Sequence, residues 1–388
     1  MTSQSIKVAG GVVAAISRFT APLHNRQTVN AESIGIAEKK SVNNARLARA
    51  LHEGRARLDS LPNFLILDTS SKCNLRCPMC WQTLVSEEDM PRTHLSKKAL
   101  AEAASIKDYL ARINFHGSGE PLLNTDFAEI IAEFRGAVSY METCTNGTPI
   151  NQGNAVKLLT AGLNVVRFSC DGDNRSTFER LREGASFERF IENVRLTVAL
   201  KREVNSWTHL GFNVVVSGQN WRELPGIVSL AESLGLDFVA VFAYIEMAPG
   251  TDGLSLSAEA ANFVRCFLRQ YKAAPSSKCY LMITPALDAD HSVNDQLPNE
   301  STTTKGAVGV GQNRRPCGAL YSMMNVKADG KVFPCCIHPR VMGDLNRASV
   351  SEIWNGEPYV EMRQQQASGD FDEMCLRCFD GLRYVSTR

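Results

Sequence analysis

Cys73, Cys77 and Cys80 stand in the run Ser71-Lys72-Cys73-Asn74-Leu75-Arg76-Cys77-Pro78-Met79-Cys80-Trp81, a C-x3-C-x2-C spacing. Three thiolates this close can ligate three irons of a 4Fe–4S cluster and leave the fourth iron without a protein ligand. Four-cysteine ligation suits electron transfer, whereas an open iron can bind a small molecule. Zinc or a disulfide pair are the alternatives for the same residues. Zinc asks for a fourth ligand, and a loop would have to bring His94 to supply it.

A second set lies near the C-terminus: Cys317, Cys335, Cys375 and Cys378, with a C-x2-C pair at its end. Asn325 to Cys335 reads as strand, Asp329-Gly330 turn, strand, a hairpin that can bring distant thiolates together. Four thiolates would hold a second cluster with no open iron, suited to moving electrons. Structural zinc is the rival for this pattern. Cys336 neighbours Cys335 and faces the other way on an extended strand, so only one of them should ligate. Cys144, Cys170, Cys266 and Cys279 read as small packing residues. Cys144 ends a strand.

The elements must place these groups. The chain has 388 residues, enough for two domains or one large domain with an appendage. Its net charge of +1 argues against a nucleic-acid partner held by electrostatics. Twelve cysteines in so long a chain do not read as a secreted disulfide scaffold. Oxygen-labile clusters imply a reducing, cytoplasmic setting. Val8 to Ile16 is a short apolar run without a clear cleavage site, and no run approaches a membrane span.

Glu38 to Leu58 predicts a basic amphipathic helix within an N-terminal extension, residues 1–60, of unknown role. Strands are expected at Phe64–Asp68, Arg112–His116, Tyr140–Thr145, Val165–Cys170, Leu210–Val216 and Phe238–Tyr244. Helical patterns fill 96–110, 124–136, 151–161, 187–204, 220–234 and 257–272. Six βα units in series imply a parallel sheet with helices outside, and right-handed crossovers curl it one way. The fold expected is α/β, a partial (β/α)6 TIM-like barrel over residues 61–250, with a doubly wound open sheet as the rival. Residues 251–315 read as a helix and a polar linker or lid, because Asp288 to Gly311 is rich in Asn, Ser, Thr and Gly. Residues 316–388 form a small cysteine-rich domain.

The motifs fall at strand ends, where α/β folds bind ligands. Ser118-Gly119-Glu120-Pro121 ends the second strand, Thr145-Asn146-Gly147 the third, and Ser169-Cys170-Asp171-Gly172 the fourth. Alternation puts Ser169 and Asp171 on one face, expected inside the barrel, with Phe168 and Cys170 on the other. Asp171 as a turn-forming residue is the bland alternative. Asn213 sits among apolar neighbours and needs a partner.

Together these motifs resemble the radical S-adenosylmethionine (SAM) enzymes. The resemblance implies that Cys73, Cys77 and Cys80 hold the cluster whose open iron takes SAM, and that an electron from it breaks SAM to give a 5′-deoxyadenosyl radical. It implies SAM contacts from Met79, Gly119, Glu120, Asn146, Ser169, Asp171 and Asn213. Ser118 replaces the family's usual glycine, and Met79 its usual aromatic residue; a methionine sulfur can still pack on a ring. The C-terminal segment resembles the twitch module, a shortened SPASM domain, with Cys317, Cys335, Cys375 and Cys378 on an auxiliary 4Fe–4S cluster.

The resemblance covers residues 61–250 and 316–388. It implies hydrogen abstraction from a small polar substrate, sugar-like or aminocyclitol-like, giving dehydrogenation, dehydration or epimerisation. A flavodoxin or ferredoxin is the expected reductant, with neither nucleic acid nor membrane as partner. The alternative is a maturase acting on a ribosomally made peptide; a plain electron carrier is the third reading. Glu142, Tyr244 and Glu246 are candidates to touch substrate. His116 is a candidate base, or a satisfied structural histidine.

Overall fold

The computed structural model describes residues 31–88, 91–244, 253–274, 278–283, 287 and 316–381. Glu246, the run from Val8 to Ile16 and the polar stretch from Asp288 to Gly311 lie outside the described residues. The strands are β1 (Phe64–Leu67), β2 (Arg112–Asn114), β3 (Tyr140–Thr145), β4 (Val165–Ser169), β5 (His209–Val216), β6 (Phe238–Ala243), β7 (Tyr280–Ile283), β8 (Met323–Val326), β9 (Lys331–Phe333) and β10 (Gly343–Asp344). They form one sheet in the order β10-β9-β8-β1-β2-β3-β4-β5-β6-β7.

β1 to β6 pair in parallel, neighbour to neighbour, as six βα units require. Two features depart from the sequence reading. A seventh parallel strand, β7, pairs with β6 inside the segment read as helix and linker. It is only four residues long and carries no motif. The C-terminal module also does not stand apart, since β8 pairs in parallel with β1 along Phe64 to Leu67. β8, β9 and β10 then run antiparallel, so the expected hairpin extends the barrel's own sheet.

Helices at Lys97–Ala104, Phe127–Ala132, Gln152–Thr160, Phe187–Glu203, Leu224–Leu234 and Ala258–Ala273 cover the outer face. Their starts are chemically marked. Ser96, Asn151, Ser186 and Ser257 each accept a backbone N–H of the first turn, satisfying a donor the helix cannot. The first helix ends at Ala104 rather than 110 and gives way to a 3-10 turn, Lys107–Tyr109. The N-terminal helix spans Ala31–Glu53 and contacts that turn.

Period-2 alternation divides the strands into two cores. Leu65, Leu67, Ile113, Phe115, Met141, Val166, Phe168, Phe212, Val239 and Val241 face the helices in the main core. Tyr140, Val165, Phe238 and Ala240 form a separate cluster on the other face, with Phe242, Tyr280 and Met282 beside them. That second face is the barrel lumen.

Candidate active site

The three cysteines follow β1 on a loop tied down by its neighbours. Ser70 pairs with His94 in an isolated bridge, and Ser71 N–H donates to Thr93 O at 2.9 Å. Arg76 N–H donates to Glu183 O at 2.9 Å, fastening the loop to the segment that follows the helix Arg175–Leu181. Cys73 Sγ accepts from Leu75 N–H at 3.5 Å and faces Asn146 Nδ2 at 3.9 Å. Burial raises the Cys73 thiol, and carries that of Cys77 up to about 11. The charges of Cys80 and Cys73 also act on Cys77, so the three thiols of this loop are candidate ligands of one four-iron core.

Gly119 makes the next turn possible. A Cβ there would overlap the carbonyl oxygens of Ser70 and Lys72, so only glycine lets the two loops touch. Glu120 N–H then donates to Lys72 O at 2.8 Å. Its buried carboxylate accepts Thr145 Oγ1 at 2.7 Å, Asn146 N–H at 2.7 Å and Leu122 N–H at 3.0 Å. Burial raises the Glu120 carboxyl, against these hydrogen bonds. The ends of β1, β2 and β3 are thereby locked together around Cys73, Glu120 and Asn146.

Ser169 ends β4 with its Oγ 3.3 Å from Cys144 Sγ, and pairs in register with Asn213 of β5. Ser169, Cys144 and Asn213 therefore share the lumen face. Asp171 is differently engaged. It has no solvent exposure, accepts Val215 N–H at 2.7 Å, and ion-pairs with Arg182. Its carboxylate is taken up within the protein rather than offered to a ligand. Arg182 escaped the sequence reading, although its charge acts on Cys77, Cys144 and Glu120. Only the tertiary pairing with Asp171 singles it out.

Glu142 is also held by the protein: Arg112 reaches its Oε1 at 2.5 Å and Arg167 its Oε2 at 2.6 Å. Burial alone would raise its carboxyl, but the Arg167 and Arg112 guanidiniums outweigh that and bring it to about 2. His116 is held down at about 4 by burial, so it is neutral near pH 7. Tyr244 N–H donates to Val216 O at 2.8 Å.

The second cysteine set converges as well. Cys317 N–H donates to Gln366 Oε1 at 2.9 Å, and Gln366 Nε2 donates to Cys375 Sγ at 3.3 Å. Cys335 Sγ accepts His338 N–H at 3.3 Å. Burial raises the Cys378 thiol to about 12, followed by the charges of Cys317 and Cys335. Cys336 is exposed. Sequence reasoning also missed His338 and Asp372, joined at 2.8 Å beside Cys375.

Lys327, at the end of β8, links the two regions. Its Nζ lies 3.2 Å from Ser118 Oγ and 5.0 Å from the centre of the Trp81 ring. Its charge also acts on Asp68 and on Cys335.

Residues 67–231 match the Radical SAM superfamily, and residues 317–379 match the SPASM iron–sulfur cluster-binding domain. This chain is a radical SAM enzyme with a SPASM domain. The family brings a SAM-binding 4Fe–4S cluster, SAM and auxiliary cluster chemistry. The chain is 28% identical over 324 residues to a tungsten-containing aldehyde ferredoxin oxidoreductase cofactor-modifying protein of Pyrococcus furiosus, covering 77% of this chain and 83% of the relative. It is 24% identical over 327 residues to the PqqA peptide cyclase of Xanthomonas euvesicatoria pv. vesicatoria, covering 82% and 80%. Streptococcus suis SuiB, in its crystal structure with precursor peptide SuiA, superposes with a TM-score of 0.60 at 15% identity, covering 83% of this chain and 71% of that one. This likeness is one of fold. Among the described residues no helix is long and apolar enough to cross a membrane.

Proposed function

We propose that this radical SAM enzyme removes a hydrogen from a carbon of a peptide substrate and completes the oxidation through its C-terminal cluster. The residues for the first step are Cys73, Cys77 and Cys80 as iron ligands. Glu120 would receive the SAM ammonium, and Ser169, Asn213 and Asn146 its polar edges, with Met79 beside the adenine. When bound, the cluster and SAM supply a 5′-deoxyadenosyl radical. The substrate radical left behind must lose an electron and a proton to give an oxidised product. Cys317, Cys335, Cys375 and Cys378 would hold the group that accepts the electron.

The observation that carries this reading is the direct pairing of β8 on β1, which puts Lys327 against Ser118 and Trp81. Asn325 of β8 donates to Cys335 O at 2.9 Å, which supports electron transfer between the barrel and the C-terminal cysteine set. The peptide is favoured because a relative aligned over most of both chains is named a peptide cyclase. This sets the sugar or aminocyclitol reading behind it. Asp171 and Arg182 position the loop after β4 rather than meet SAM through the carboxylate.

The test is anaerobic turnover with SAM, a reductant and peptides encoded beside the gene. The expected result is one 5′-deoxyadenosine per peptide product lighter by two hydrogens. Deoxyadenosine formation that ignores every peptide and rises with an aminocyclitol would return the reading to small polar substrates.

A further inference from the structure

We infer that the barrel lumen contains a carboxylate-binding site built on Arg167 and Arg112, which takes an acidic group of the substrate. The inference rests on the lumen being the substrate chamber. Register puts Arg112, Asn114, Tyr140, Glu142, Val165 and Arg167 on one face of β2, β3 and β4. In this layer one carboxylate, Glu142, serves two guanidiniums, at 2.5 and 2.6 Å. Tyr140 also donates to it at 3.0 Å.

Two guanidiniums against one carboxylate leave a cation in excess. The Arg167 side chain is 8% exposed, and a buried cation is costly unless a counter-charge meets it. The other lumen charges do not supply one. Asp68 accepts Ser118 N–H at 2.9 Å and feels the Lys327 charge, Asp171 holds Arg182, and Glu120 bonds to the strand-end backbone. Two donors are also left over. Arg167 Nε and His116 Nδ1 are buried without a hydrogen-bond partner among the described residues. Buried polar atoms are ordinarily satisfied, and a carboxylate matches a guanidinium edge geometrically. His116 stays neutral and adds a donor in one tautomer without adding charge.

The opposite wall states what else the substrate carries. The Phe238 ring lies against Gly211, where a Cβ would strike it. Ala240, Phe242, Tyr280 and Met282 continue this apolar surface. A lumen that sets the Arg112 and Arg167 guanidiniums beside an apolar cluster of Tyr140, Val165, Phe238 and Ala240 fits a group with an apolar body and an acidic tip.

The experiment uses anaerobic, cluster-loaded enzyme with SAM and ligand-observed NMR. The probes are the tripeptide acetyl-Phe-Glu-Phe-amide, its Gln counterpart and succinate. The Glu peptide should bind at least about tenfold more tightly than the Gln peptide. Arg167→Met should erase that preference, and Arg167→Lys should restore part of it. Glu142→Gln frees both guanidiniums and should tighten the Glu peptide by about fivefold, a gain that misfolding cannot imitate. Tighter binding of the Glu peptide than of succinate assigns the acid to a peptide; the reverse assigns it to a free small acid. Equal binding of the Glu and Gln peptides, or no response to Glu142→Gln, overturns the site. Peptide turnover is read separately, so a carboxylate preference without turnover refutes the proposed reaction and leaves the site standing.

Discussion

At the scale of single residues, Gly119 and His116 show two ways in which burial limits what a position can be. At 119 the limit is steric. Gly119→Val forces the Ser118–Glu120 turn off Ser70 and Lys72. Shifts of about 1 Å in a positioning group cost about a hundredfold in rate. SAM cleavage should fall by that much or more while iron content stays at the parent level, read by chromatography of deoxyadenosine and by iron assay. At 116 the limit is electrostatic. The histidine falls from 6.5 to about 4 on folding because burial disfavours its charge. The unfolded chain therefore binds the extra proton between those values, and stability drops as pH falls through that window. From pH 7 to pH 5 the loss should be about 2 kcal/mol, and His116→Gln should flatten it in urea titrations. Glu142, depressed from 4.5 to about 2, contributes stability that is lost as pH falls between those two values, below the window of His116's loss from pH 7 to 5. Neither residue's surroundings were legible in the sequence, which offered His116 as a base or a satisfied structural histidine and Glu142 as a substrate contact.

At the scale of elements, what matters is where a strand stops. β4 ends at Ser169, so the alternation that places Ser169 in the lumen no longer governs Asp171. Two residues further on, the chain has turned, and the carboxylate meets Arg182 and Val215 N–H. Arg182→Ala strands a buried carboxylate and should cost about 3–5 kcal/mol. The double variant Asp171→Asn, Arg182→Met should recover part of that. A single variant as stable as the parent in thermal unfolding would overturn this account of the loop. The helices were more legible than the loops, because Ser96, Asn151, Ser186 and Ser257 announce their starts. β7 was not legible, since four apolar residues fit a strand or a buried helix equally.

For the whole molecule, Arg363 braces the C-terminal module internally and ties it to the N-terminal extension. It is fully buried and donates to Leu320 O at 2.9 Å, Trp354 O at 2.8 Å and Ala56 O at 3.1 Å, with Trp354 under its guanidinium at 4.4 Å. Arg363→Met leaves two buried carbonyls and a part-buried one without this donor and should cost about 3 kcal/mol. Limited proteolysis should then release the N-terminal helix first. Loaded protein should carry about eight irons, and the triple Cys73/Cys77/Cys80→Ala variant about four. One zinc beside about four irons would remove the electron acceptor and favour redox-neutral chemistry. The sequence by itself determined the cysteine sets, the six βα units and the strand-end motifs, because ligand spacing and hydrophobic period are local properties. Only the tertiary structure decided that β8 completes the sheet beside β1, that Asp171 belongs to Arg182, and that Glu142 must share itself between two arginines. Those facts depend on contacts between residues far apart in the chain, where period and spacing carry no information.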